Sequence, residues 1–176
     1  LHIFDAEREI SALRMIKTPE EVDALIDAIR VSERALQRTI DGIRAGQTEK
    51  DIEQALILNL FAEGAEDHSF RPIVAAGENA ARPHAEARNV ALKPGDALLL
   101  DFCAKKHGFC ADITRTFFFG HVTDEDAAIY DTVLRANRKG HEVTRAGITA
   151  HQIDDAVTGV LEASPFAEFI RTKTGH

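Results

Sequence analysis

Residues 98–120 read LLLDFCAKKHGFCADITRTFFFG. Leu98, Leu99, Leu100 and Phe102 before the middle of this run, and Phe109, Ile113, Thr114, Thr116 and Phe117 after it, are strand formers; Lys105-Lys106-His107-Gly108 between them is a polar turn ending in glycine. The run predicts a β-hairpin. A turn centred on Lys106 and His107 sets opposite each other the residues whose numbers sum to 213, and Asp101 and Asp112 are such a pair. Two carboxylates with Cβ atoms roughly 5 Å apart, flanked by apolar residues, repel unless one is protonated or a cation lies between them. A divalent metal removes the conflict; a solvated pair, or neutralisation of one carboxylate by Arg115, is the alternative. Cys103 and Cys110 satisfy the same sum, so they too are expected to face each other. Three readings stand for them: small buried thiols, a cross-strand disulfide, or soft ligands of an Asp-Cys-Cys-Asp zinc site.

The segments on either side follow a repeated plan. Thr18-Pro19-Glu20-Glu21 has the form of an N-cap, a first-turn proline and a capping-box glutamate. The helix it opens carries an expected apolar stripe of Val22, Leu25, Ile26, Ile29, Leu36, Ile40 and Ile43, and ends before Gly46. Thr48 opens a second helix running to Gly64, and Phe70 to Ala75 reads as a strand, followed by a loop rich in Gly, Asn and Pro that leads into the hairpin. After Gly120 the plan restarts, with a helix from about Thr123 to Arg145 and another opening at Thr149. Arg44-Ala45-Gly46-Gln47-Thr48 matches Arg145-Ala146-Gly147-Ile148-Thr149, and Ile52, Ala55 and Leu56 match Ile153, Ala156 and Val157, at a constant shift of 101 residues. The chain reads as an α+β unit duplicated internally. On that reading Phe169 to Gly175 corresponds to the first strand, the second hairpin is missing from this chain, and the natural protein is expected to be longer.

Composition excludes several classes. A net charge of −8 over 176 residues, with no basic stripe, argues against a nucleic-acid partner. No apolar run approaches the roughly 20 residues that cross a bilayer, and the acidic start LHIFDAERE is no signal peptide, so a cytoplasmic location away from the membrane is expected. There is no G-x-S-x-G, P-loop or dinucleotide fingerprint.

Four segments in combination strongly resemble one family: Gly77-Glu78-Asn79-Ala80-Ala81-Arg82-Pro83-His84, Lys93-Pro94-Gly95-Asp96, Asp101 to Gly120, and Thr174-Gly175-His176. It is that of the pita-bread (creatinase/methionine aminopeptidase-like) metallopeptidases, in the branch of Xaa-Pro dipeptidases (prolidases) and aminopeptidase P. The resemblance implies a pita-bread fold with pseudo-twofold symmetry and hydrolysis of a peptide bond adjacent to proline in a proline-containing peptide substrate. It implies that Asp101, Asp112 and His176 are metal ligands and that His84 is the active-site histidine which contacts substrate or assists proton transfer. Two divalent ions, manganese first and cobalt or zinc as alternatives, are then expected to hold a bridging hydroxide. Residues 1–17 resemble the linker from an N-terminal domain, and 18–176 an incomplete catalytic domain of a protein expected to be a homodimer.

Departures from the family pattern are Cys103, where glycine is usual, and Thr172, where many relatives carry a second histidine. The two glutamate ligands of the family lie beyond the stretch that ends at His176, so this chain alone is expected to be inactive. A non-catalytic binding module on the same scaffold and a creatinase-like C–N hydrolase are the rival readings.

Overall fold

The computed structural model describes residues 5–174. It divides into two compact units, 1–121 and 122–176. In the first unit a short helix α1 (Glu7–Met15), with no buried residue, precedes α2 (Pro19–Gly42) and α3 (Glu49–Ala62). Both long helices start where the sequence places them, because each N-terminus is closed by a reciprocal capping box. Thr18 Oγ1 accepts from the Glu21 amide while Glu21 accepts from the Thr18 amide, and Thr48 and Asp51 repeat the exchange.

Six strands follow in two three-stranded antiparallel sheets. β2 (Ile73–Ala76), β3 (Ala97–Phe102) and β6 (Ile113–Phe118) form one, with β3 central; β1 (Asp67–His68), β4 (Ala104–Lys106) and β5 (Phe109–Cys110) form the other, with β4 central. The strand expected from Phe70 begins only at Ile73, consistent with Pro72 having no amide to donate to a ladder. Leu98, Leu100, Phe102, Val74 and Ala76 build the core with Ile52, Leu56 and Leu60 of α3 and Val31 and Ala35 of α2.

The buried face of α2 differs from the expected stripe. It is the line Ala24, Ala28, Val31, Ser32, Ala35 and Thr39, whereas Val22, Ile26 and Ile29 are exposed. Small side chains let the helix axis lie close to its neighbours, so packing selects them over the bulkier residues one step around the helix. Leu36 and Ile43 of the expected stripe do pack against the core.

The second unit contains α4 (Asp124–Val143), α5 (Ala150–Glu162) and a 3-10 turn, Ala167–Phe169. Thr123 and Thr149 cap its helices as Thr18 and Thr48 cap the first pair. The shift of 101 residues holds in three dimensions: buried Val31, Ala35 and Thr39 of α2 correspond to buried Thr132, Ala136 and Gly140 of α4, and Leu56 of α3 to Val157 of α5. Gly46 and Gly147, at matching positions after the first helix of each pair, have φ of 90° and 85°. The strand expected from Phe169 is not formed among the described residues, where 167–169 make the 3-10 turn and 170–174 pair with no strand. An isolated extended segment has no ladder to satisfy its amides, so the local turn wins.

Candidate active site

Burial alternates along β3 as a strand with one covered face requires. Leu98, Leu100 and Phe102 point into the core, and Leu99 and Asp101 lie half-buried on the other face. The register sets Asp101 between Ile73 of β2 and Thr114 of β6. This corrects the expected pairing. The hairpin turns on His107 and Gly108, both at positive φ (52° and 76°), so paired residues sum to 215 rather than 213: Lys106 faces Phe109, and Asp101 faces Thr114. Two successive left-handed residues are what a tight two-residue hairpin loop demands, and glycine at its second position fits that loop.

Asp112 is therefore not opposite Asp101. It is exposed, lies between β5 and β6, and precedes by two residues the partner of Asp101. Asp112 lies just outside the ladder, next to Ile113, the register partner of Phe102. The donor set is hard oxygen, suited to manganese, magnesium or zinc. Among the described residues no group of three His, Cys, Asp or Glu side chains converges as a metal site; His176 lies outside the described residues.

The cysteines do not face each other. Cys103 is fully buried and Cys110 is exposed, paired in register with Lys105. The register that sums to 215 separates them, and a crease in the hairpin buries Cys103. Phe102, Cys103 and Ala104 are buried consecutively, which breaks the alternation, and here the chain passes from the first sheet to the second. The buried hydroxyl of Ser32 in α2 holds this crease. It donates to the Ala28 carbonyl at 2.7 Å and accepts from the Ala104 amide at 2.9 Å, and Cys103 Sγ lies 2.9 Å away. The hydroxyl's one proton is committed to Ala28, so the thiol is the donor to it. Burial pushes the Cys103 thiol up from its ordinary value, against the hydrogen bond to Ser32. Cys103 is thus a buried thiol packed at the crease against Ser32.

His84 sits exposed on a turn in the loop joining β2 to β3. That loop is tied down on both sides of the histidine. Near its start Gly77, at φ 53°, lies so close to Asp96 that a Cβ there would fall 2.9 Å from the carboxylate Oδ1. The larger tie is Glu49, the first residue of α3, which is 1% exposed. Its Oε1 accepts from the Ala76 amide at 2.8 Å and Arg88 Nη2 at 3.1 Å; its Oε2 accepts from Asn79 Nδ2 at 3.0 Å, the Arg88 amide at 2.7 Å and Arg88 Nε at 3.2 Å. Burial pushes the Glu49 carboxyl up, but the Arg88 side chain, the Ala76 and Arg88 amides and the Arg88 charge outweigh it and hold it below the usual carboxylate range. Asn79 also donates to the Glu86 carbonyl at 3.0 Å, closing the loop on itself around His84. Sequence reasoning missed this cluster, although one signal was present: Glu49 has Ala150 as its counterpart in the second helix pair, where the cap before it is the same.

The profile of metallopeptidase family M24 matches residues 23–176. The chain is 31% identical to the Xaa-Pro dipeptidase of Lactobacillus helveticus over 98% of its own length and 47% of that protein's, and 28% identical to the Xaa-Pro dipeptidase of Pyrococcus furiosus over 95% and 48%. Among solved structures, the Xaa-Pro dipeptidase from Bacillus anthracis superposes with a TM-score of 0.91 at 33% identity, covering 95% of this chain and 47% of that one. The prolidase from Pyrococcus horikoshii gives 0.91 at 27%, covering 95% and 48%. The chain thus has the pita-bread fold of these proteins and spans about half their length.

Proposed function

Because this chain belongs to metallopeptidase family M24, we propose that it carries part of the catalytic domain of an enzyme hydrolysing a peptide bond next to proline, with residues 1–17 leading into that domain and 18–176 contributing to it. The supporting observation is the presence of two carboxylates on one hairpin, Asp101 on the central strand and Asp112 just before β6, in a chain similar along most of its length to Xaa-Pro dipeptidases.

Asp101, Asp112 and His176 are the residues proposed to hold two divalent ions, with manganese preferred because the proposed donors are carboxylate oxygens and one imidazole while Cys103 Sγ is turned to Ser32. When bound, such ions polarise the scissile carbonyl and lower the pKa of the attacking water. Asp101, fixed by two neighbouring strands, supplies a rigid oxygen donor, while exposed Asp112 meets substrate-side solvent. His84 hydrogen-bonds the substrate or transfers a proton at its imidazole, for which its exposed position on a braced loop is suited. The parent protein is proposed to act as a homodimer.

The test uses the full-length natural protein. Wild type is expected to bind about two metal ions per chain and to cleave an Xaa-Pro dipeptide. Asp101→Asn and Asp112→Asn should each lower metal content and cut turnover by about three orders of magnitude or more. Full activity in either metal-depleted variant would overturn the assignment.

A further inference from the structure

From the five hydrogen bonds that Glu49 accepts, we infer that this carboxylate is a positioning residue for His84, a role that rests on the reading of His84 given above. The donors come from both shoulders of the loop. Ala76 and Asn79 precede His84 by eight and five residues, and Arg88 follows it by four, so one carboxylate clamps the two ends of the thirteen-residue segment 76–88 against the start of α3. Neighbouring contacts run the same way: the Glu49 and Lys50 amides donate to the Val90 and Arg88 carbonyls, and Leu92 donates to Gln47.

Helix capping does not explain the residue. In α5 the same reciprocal cap forms between Thr149 and Gln152, and the position equivalent to Glu49 is an exposed alanine. A buried carboxylate at the first helical position is therefore not needed to start the helix. Nor is it a general anchor of α3, because a separate pair, Glu53 with Arg71 at 3.0 Å, joins the next turn of that helix to the segment before β2. Of these two buried carboxylates of α3, Glu49 is the one hydrogen-bonded to the loop that carries His84. An ionised carboxylate accepting five donors holds them at fixed angles, whereas an amide in its place presents an NH2 group to at least one donor and repels it.

The experiment compares Glu49→Gln, Glu53→Gln and His84→Ala in the full-length natural protein, loaded with manganese and assayed on an Xaa-Pro dipeptide. Glu49→Gln is expected to lower kcat by about tenfold to a hundredfold with a small change in KM, and to speed amide hydrogen exchange in residues 77–92. Glu53→Gln, a second buried carboxylate on the same helix as control, should keep kcat within about twofold and leave exchange in that loop unchanged. His84→Ala should lose at least as much kcat as Glu49→Gln, and the double variant should be no worse than His84→Ala alone. If His84→Ala is fully active, the reading of His84 fails and the positioning role fails with it. If His84→Ala is crippled while Glu49→Gln keeps wild-type kcat, or if the double variant shows additive losses, only the positioning role is overturned.

Discussion

Thr48 and Thr149 begin α3 and α5 with the same reciprocal cap, at 3.2 Å in both cases for the amide that each hydroxyl receives, yet the next residue is Glu49 in one helix and Ala150 in the other. The first helix pair packs on two sheets and carries a braced loop; the second makes its helix contact through Thr132, Ala136, Gly140 and Val157. Gly140 stands where α2 has Thr39, and a Cβ there would meet Val157 Cγ2 at 3.0 Å. One plan has thus been filled differently. In the first unit buried Ser32, Glu49 and Asn79 bond neighbouring strand and loop segments, and Thr39 joins α2 to Asn59 of α3. In the second, among the described residues, Gly140 allows close approach to Val157 and buried Thr132 bonds Ala128 and Arg135.

The comparison is broken most severely at the matched core positions Leu56 and Val157. Leu56 is fully buried among the sheet and α2, so Leu56→Ala should cost roughly 3–5 kcal/mol, the transfer term plus an unfilled cavity. Val157 is 6% exposed and is touched across the helix pair by a glycine, so Val157→Ala removes less and leaves a site that can close, for about 1–2 kcal/mol. Urea unfolding of each variant, followed at constant m-value, measures both. Equal losses would mean that the two pairs are equivalent in packing after all.

How far these differences can be read from the letters depends on the range of the interaction. The helix starts are local, each cap being settled within four residues, and the shift of 101 residues follows from two such local signals repeating. The hairpin is legible for the same reason. Its register was not read correctly, because Lys105-Lys106-His107-Gly108 admits two adjacent two-residue turns and the glycine preference for the second was not given its weight. The crease at Cys103 is a different case. It depends on Ser32, 71 residues away, and nothing near Cys103 announces that partner. The small-residue face of α2 is hidden likewise, since hydrophobicity ranks isoleucine above alanine while the buried face is made mostly of small side chains. Asp101 and Asp112 are legible as candidates from their residue type, their place on one hairpin and the family resemblance, whereas the partner of Asp101, Thr114, is fixed only once the turn is placed.

A second way to sharpen the contrast is acid. The Glu49 carboxyl is held below its ordinary range, because hydrogen bonds from Arg88, Ala76 and Arg88's amide outweigh burial. A depressed folded-state pKa gives stability that is fully present above the unfolded value of about 4.3 and lost as pH falls through the folded value. Glu49→Gln should therefore destabilise by on the order of 2–3 kcal/mol near neutrality, and the gap to wild type should shrink as pH drops below about 4. Glu20, Asp51, Glu63, Glu66 and Asp154 are also lowered, by hydrogen bonds in each case, and titrate in both proteins, so the difference between the two isolates Glu49. A gap independent of pH would show that shape, not charge, is what the loop requires.

The smallest effect comes from the reverse exchange. Ala150→Glu places the first unit's carboxylate at the start of α5, where the first turn has no acidic residue and the position is exposed. At this exposed position the new carboxylate interacts with the helix dipole and the free amides of the first turn. That should stabilise by about 0.3–1 kcal/mol at low ionic strength and fade at about 1 M salt, where the screening length is near 3 Å. Thermal unfolding at the two salt concentrations reads the difference. A gain that survives high salt would mean that the second helix pair also offers this position a set of donors, and that Glu49 is a feature of the shared plan. Loss of the gain in salt keeps Glu49 where the geometry puts it, as an addition made only in the half that carries His84.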